Sequence, residues 1–284
     1  MIGRIAERLL DAQDGWAKPL GNALHGLFAA IFGRMTPIRD LLSGTWLGHP
    51  LHALLTDVPI GAMTIMVVLD IVGQPAAADI ALAIGILAML GAAAAGAADY
   101  STTDGRARTR ATVHSTVMIL SLVLFAVSLA IRASGPSSRT LPIAISIVGY
   151  LVMAAGAFVG GDVVYARGNM VDRHAWVGAG TAWKPLTVGD VPEGTLVKAT
   201  LGAEPLVLVR TGDTIRALHD VCAHANGPLS GGTLTADGCV ECPFHGSRFD
   251  LATGRLKRGP SIYDQPAYEV RSVAGGGYEA RRVS

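Results

Sequence analysis

The sequence predicts a membrane α-helical bundle followed by an all-β domain, and three observations carry that prediction. Apolar residues crowd into residues 51–165 and lift the mean hydropathy of the whole chain to +0.42. Within that region lie four apolar stretches, each about as long as the 20 residues a helix needs to cross a bilayer core. From residue 183 onward, short alternating runs such as LVKATL, PLVLVRT and IRAL are separated by turn signals such as VPEGT and RTGDT, the pattern of antiparallel strands joined by tight turns.

Taken in order, residues 1–48 read as a cytoplasmic lead-in. Ile2, Ile5, Leu9 and Leu10 recur at helical spacing among Arg4, Glu7, Arg8 and Asp11, which predicts an amphipathic helix. A second apolar stretch covers residues 20–32. These lead-in helices either pack on the end of the bundle or lie in the membrane interface. The start is charged and has no long apolar run, so it does not read as a secretory signal.

The four spans are expected at about 53–73, 77–98, 113–132 and 141–164, within a membrane domain of residues 49–168. Pro59 and Gly61 are tolerable in a membrane helix whose neighbours satisfy its backbone. Gly91 and Gly96 in the second span, and Gly156 and Gly160 in the fourth, allow close helix approach. No internal repeat stands out. The lead-in carries Arg4, Arg8, Lys18, Arg34 and Arg39, the second loop Arg106, Arg108 and Arg110, and the tail Arg167 and Arg173. The first loop has no basic residue and the third only Arg132 and Arg139, which predicts a multi-pass protein of the inner membrane with both termini in the cytoplasm. Arg106, Arg108 and Arg110 are expected to meet lipid headgroups.

A connector over 169–182 leads to the β-domain of residues 183–284. It carries DVCAHANGPLSGG and CVECPFHGSRFDLATG, that is, Cys222-x-His224 and Cys242-x-x-His245. Three clustered cysteines (Cys222, Cys239 and Cys242) suit a metal site better than a disulfide framework. A zinc site using Cys222, His224, Cys239 and Cys242 is the competing reading of the residues alone.

These motifs resemble the Rieske ferredoxin family over about 183–281. The resemblance implies a 2Fe–2S cluster with Cys222 and Cys242 on one iron, and His224 and His245 on the other through Nδ1. Gly227 and Gly246 permit the tight cluster loops, and Gly259-Pro260 resembles the family's cluster-covering proline loop, so Pro260 belongs to the cluster surroundings. Respiratory members carry two further cysteines, joined in a disulfide, at positions matched here by Gly227 and Phe244. They also bond cluster sulfur with a serine, matched by Ser247, and a tyrosine, replaced by Phe249. A potential in the lower or middle part of the Rieske range is therefore expected. Cys239 is then a spare thiol.

LGHPLHALLTDVPIG, Asp99-Tyr100, RARTRATVH and GGDVVYARG resemble a family of four-helix bacterial membrane domains of unknown function, over about 48–168. That resemblance implies a fold and no activity. His49, His52, Asp57, Asp99, His114 and Asp162 should gather at the cytoplasmic end of the spans, below the soluble domain, and intramembrane ionisable groups are usually functional. Three readings stay open: axial ligation of a haem b by His52 or His49 with His114, a quinone site, or mutual pairing that fixes the bundle. His25, His174 and His219 read as packing or surface residues.

The function expected is a membrane-anchored Rieske electron carrier working between a cytoplasmic redox protein and a haem or quinone site in the membrane domain. A quinone oxidoreductase, an oxygenase electron-supply component and a membrane redox sensor are the alternatives. A net charge of +1 argues for no nucleic-acid partner. No nucleotide-binding fingerprint is present, so a nicotinamide or flavin would act through another protein.

Overall fold

Glycine and proline set most helix boundaries in the N-terminal half. In the computed structural model, which describes residues 2–178 and 180–283, α1 spans Ile2–Asp11, α2 Asp14–Arg34 and α3 Thr36–Ser43. The side chains of Ile2 and Arg4, used in the sequence reading, lie outside the described residues. Gly44 ends α3 at φ +84°, where an added Cβ would lie 2.0 Å from the His49 carbonyl oxygen. Only glycine fits there.

Four helices follow that are long and apolar enough to cross a membrane: α4 (Leu51–Ile71), α5 (Pro75–Tyr100), α6 (Gly105–Ala133) and α7 (Thr140–Gly161), the last continued by a π-turn over Asp162–Ala166. α6 starts eight residues before the expected span. Its first turns hold three arginines that hydropathy alone excludes, and the fold supplies their partners. Arg110 is 1% exposed, with Nη2 2.5 Å from Asp11 Oδ1, and Arg108 bonds the Thr103 carbonyl and Asn22. Glu7, Asp11 and Asp14 thus offset cations placed at the wrong end of a helix dipole. The expectation that this basic trio faces lipid is corrected: only Arg106 is largely exposed.

The four long helices form two hairpins, α4–α5 and α6–α7, with a repeat that the sequence reading missed. His52 packs on Gly96 and Met63 on Gly85 in the first; His114 packs on Gly160 and Phe125 on Gly149 in the second. The α4 and α6 residues correspond at 62 positions apart, the α5 and α7 residues at 64. His52 Nδ1 meets the Ala92 carbonyl and His114 Nδ1 the Gly156 carbonyl, again at that 64-residue offset. The hairpins are a parallel repeat about an axis along the bundle. At the opposite end, Asp70 and Arg132 occupy equivalent positions yet bond each other, with Nη2 to Oδ2 2.5 Å, and Asp79 and Arg139 join them.

The second unit comprises residues 45–48 and 170–283. A six-stranded antiparallel sheet runs in the order β1-β10-β9-β4-β3-β2, with β1 Lys184–Leu186, β2 Val197–Leu201, β3 Glu204–Thr211, β4 Thr214–His219, β9 Ala267–Ser272 and β10 Tyr278–Arg282. A smaller sheet, β5-β6-β7-β8, comprises Thr233–Leu234, Cys239–Glu241, Arg248–Asp250 and Leu256–Arg258. Alternation along β3 and β4 buries Leu206, Leu208, Ile215 and Ala217 in one core. A second core, containing Val207, Val209, Leu218, Val240 and Phe249, also takes in Cys222 and Cys242.

Candidate metal centre

Two loops carry the metal motif, one following β4 and one joining β6 to β7. Each is closed by its own main chain. Cys222 N–H donates to the Gly227 carbonyl (2.9 Å) and Asn226 N–H to the Cys222 carbonyl (3.1 Å), with Asn226 at φ +62°. In the second loop, Cys242 N–H donates to the Ser247 carbonyl (2.8 Å) and Gly246 N–H to the Cys242 carbonyl (3.1 Å).

The loops meet at their cysteines. Cys222 and Cys242 hydrogen-bond each other, which draws the Cys242 thiol down to about 7, while that shared proton and burial push Cys222 up. The N–H groups of His224 and Ala225 bond the Cys222 sulfur, and those of Phe244 and His245 bond the Cys242 sulfur. Two thiols this close, each with two main-chain donors aimed at it, suit thiolates that share one cation. The His224 and His245 rings lie 5.0 Å apart between centroids at 88°. No three His, Cys, Asp or Glu side chains among the described residues converge as a single-ion site needs. Two thiols in one pair and two imidazoles in the other fit a two-iron cluster instead. Cys239, which starts β6 opposite Asp250, stands apart from the pair.

The surroundings follow the sequence reading with one refinement. A Cβ on Gly227 would lie 2.8 Å from the Cys242 sulfur and 2.9 Å from Phe244 Cγ, so the two positions matched to the respiratory disulfide are adjacent, and an aromatic ring fills the space. Ser247 is buried, and its hydroxyl oxygen accepts the Ser261 N–H (3.0 Å), leaving its own hydrogen to point elsewhere. Pro260, which precedes Ser261 in the chain, is buried, and Phe249 is wholly buried without a hydroxyl. The two imidazoles are not equally accessible: His224 is 6% exposed, whereas His245 is partly open, next to the exposed ring of Phe244.

Several supporting groups escaped the sequence reading. The Gln265 side chain accepts the Ala223 N–H (3.0 Å) and donates to the carbonyls of His219 (2.6 Å) and Val221 (2.7 Å). Asp220 accepts both the N–H (2.6 Å) and hydroxyl (3.0 Å) of Ser230. Glu241 pairs with Arg248 and Arg258, and Arg258 also donates to the Gly246 carbonyl. His174 and His219, read as bland, are buried together at 4.7 Å between centroids. His174 Nε2 donates to the Val221 carbonyl (2.8 Å), and burial, with His219 alongside, pulls its pKa down to about 4.

The six ionisable groups expected to gather in the helical unit do not form one cluster. His49 is exposed and bonds the adjacent Pro50 carbonyl. Asp57 is exposed on α4, because five residues from His52 turn it well round the helix. Asp162 pairs with Arg110 (3.6 Å) and Arg167 (3.3 Å). Asp99 is buried against Ser43, and its Oδ1 has no hydrogen-bond partner among the described residues. Only His52 and His114 come together, ring to ring.

Comparison with known proteins divides the chain in the same way. A family model described as a Rieske [2Fe-2S] domain matches residues 183–269, and one described as a predicted membrane protein (DUF2231) matches residues 48–183. The anthranilate 1,2-dioxygenase ferredoxin subunit of Burkholderia cepacia is 36% identical over 94 residues, 33% of this chain and 86% of that protein. Ferredoxin CarAc of Metapseudomonas resinovorans is 37% identical over 98 residues, 34% of this chain and 91% of that protein. Among solved structures, the ferredoxin of carbazole 1,9a-dioxygenase from Nocardioides aromaticivorans IC177 is 28% identical and covers 34% of this chain and 97% of its own, with a TM-score of 0.32.

Proposed function

Since the chain belongs to the Rieske [2Fe-2S] ferredoxin family through residues 183–269 and carries a DUF2231 membrane domain over 48–183, we propose that it is a membrane-anchored ferredoxin passing single electrons between a cytoplasmic redox protein and a haem or quinone terminus in its membrane domain. The observation that carries this reading is the meeting of the two loops, with Cys222 beside Cys242 and His224 beside His245. Cys222 and Cys242 would hold one iron of the cluster and His224 and His245 the other. When bound, the cluster supplies a one-electron couple raised by its imidazole ligands. The protein's share is to hold both sulfurs with main-chain N–H groups, exclude water behind Phe249 and Pro260, and leave the His245 edge open to a partner.

The basic residues of the lead-in, second loop and tail support placement of both termini, and hence of the β-domain, in the cytoplasm. A second reading is favoured by the relatives, which are ferredoxin subunits of dioxygenases. Here the cluster supplies an oxygenase and the helical domain serves chiefly as an anchor. Electron paramagnetic resonance of the detergent-purified chain tests the cluster, and Cys242→Ser and His245→Ala should each abolish its reduced-state signal. Rapid mixing with a reduced ferredoxin reductase or with a quinol then separates the readings. Bleaching of the cluster by quinol alone would favour a membrane terminus. Reduction by the protein donor alone, with delivery to an added terminal oxygenase, would favour the supply role.

A further inference from the structure

His52 and His114 lie outside the cluster and are held in the same way at equivalent positions of the two hairpins. α4 borders α5 and α7, and so does α6, which sets α4 and α6 on the diagonal of the bundle with the two rings across its axis. Their centroids are 6.2 Å apart and their planes stand at 83°. His52 Nδ1 is 2.7 Å from the Ala92 carbonyl oxygen, and His114 Nδ1 is 2.8 Å from that of Gly156. A carbonyl only accepts, so each Nδ1 carries the hydrogen and each Nε2 keeps a lone pair. Among the described residues nothing hydrogen-bonds either Nε2. Neutral imidazole with Nδ1–H tied to a carbonyl is how proteins orient a histidine for metal ligation through Nε2.

We propose that His52 and His114 are the two axial ligands of one haem b bound between the hairpins. Two metal–imidazole bonds of about 2 Å, with about 1.1 Å from each bonding nitrogen to its ring centroid, put trans imidazole centroids roughly 6.2 Å apart. The observed 6.2 Å matches that span. A quinol bridged by the same two acceptors does not fit: its two oxygens and two hydrogen bonds would hold the centroids roughly 13 Å apart. A bare metal ion would need further protein ligands, and no group of three His, Cys, Asp or Glu is present among the described residues. A porphyrin brings four nitrogens of its own and asks the protein for two opposed ones. Its two axial faces are equivalent, as are the two hairpins that would meet them. Gly96 and Gly160 seat the rings: a Cβ there would lie 3.0 Å from the His52 ring and 2.9 Å from that of His114.

The proposal rests on the reading of the membrane domain as the carrier's second terminus. Ferric haem would take one electron from the reduced cluster and become ferrous, with no proton required. The test uses the full chain, purified in detergent after expression with added haem precursor and then titrated with hemin. One haem per chain is expected, with a Soret band of six-coordinate low-spin iron. Near-perpendicular axial rings leave the iron π orbitals almost degenerate, so the ferric resonance should be strongly spread. His52→Ala and His114→Ala should each weaken hemin binding at least tenfold and convert any residual haem to high spin. His52→Met and His114→Met, which keep a ligand atom, should retain haem at a raised potential. The cluster resonance should be unchanged in all four, which shows that the chain is folded. Absence of low-spin haem at saturating hemin in a chain with an intact cluster signal, or low-spin haem surviving both alanine changes, would overturn the assignment. Loss of the cluster itself, or a cluster and haem that exchange no electron, would instead count against the carrier reading.

Discussion

Replacing Gln265 by leucine should release the first cluster loop while leaving the shape of the core nearly unchanged. Gln265 is 2% exposed, and its one amide holds three main-chain groups: the N–H of Ala223 and the carbonyls of His219 and Val221. All three lie in the stretch that bears Cys222 and His224. Leucine has similar volume and no polar atom, so the change strips the hydrogen bonds without opening a large cavity. The Val221 carbonyl keeps its bond from His174, so the Ala223 N–H and the His219 carbonyl are the groups that lose this partner; at about 1–3 kcal/mol for each buried polar group left unpaired, the total is about 3 kcal/mol. At 1.4 kcal/mol per decade, the open form of the loop becomes roughly a hundredfold more populated. The assay is the bleaching rate of the cluster's visible absorbance in the full, detergent-purified chain with excess iron chelator, which captures metal whenever the loop opens. Bleaching roughly a hundredfold faster than in the parent is the expected result. A Gln265→Leu rate within about threefold of the parent's, a difference well under 1 kcal/mol, would refute the reasoning and show that the ligand bonds alone hold the loop.

Other changes reach different parts of the molecule. Ser247→Ala should lower the reduction potential by roughly 45 mV, the one-electron equivalent of a hydrogen bond about 1 kcal/mol stronger to the reduced cluster; a redox titration reads this directly. The parent itself should titrate in the lower or middle part of the Rieske range, because Phe249 is buried without a hydroxyl. His174 has a folded pKa of about 4, below the usual 6.5, so its neutral ring stabilises the domain fully above about pH 6.5 and progressively less as pH falls toward 4. The loss is on the order of 2 kcal/mol, and denaturation across that window should flatten in His174→Asn. Arg132→Met strands the buried Asp70 carboxylate and should lower stability by about 3–5 kcal/mol. Restoration of much of the thermal midpoint by adding Asp70→Asn would show that the stranded charge, rather than lost packing, is responsible.

What could be read from the sequence was what short-range chemistry dictates. The spans were legible because a bilayer demands about 20 apolar residues whatever the fold, and the cluster motif because Cys222 with His224, and Cys242 with His245, are each set by one tight loop. The repeat was hidden because it keeps few identical residues, such as His52 and His114 or Gly85 and Gly149, and keeps them at two different offsets, 62 and 64, so no single period displays it. Met63 and Phe125 do the same work against Gly85 and Gly149, and Asp70 and Arg132 hold equivalent places with opposite charge. Gln265 gives no signal in DQPAYEV, since its importance lies in three main-chain groups more than 40 residues away. The six-residue polar cluster failed for a related reason. Sequence position places ionisable groups at one depth in the bundle, but rotation about each helix and the choice of ion partner decide which of them meet. Asp57 turns outward, Asp162 is claimed by Arg110 and Arg167, His49 stays with its neighbour, and Asp99 settles against Ser43. That leaves His52 and His114, the pair among these six whose Nδ1 groups bond main-chain carbonyls and whose Nε2 atoms have no hydrogen-bond partner among the described residues. Two Nδ1–H groups tied to carbonyls of the paired helices, with each Nε2 lone pair left over at equivalent positions of the two hairpins, is the arrangement that opposed ligation of one metal centre uses.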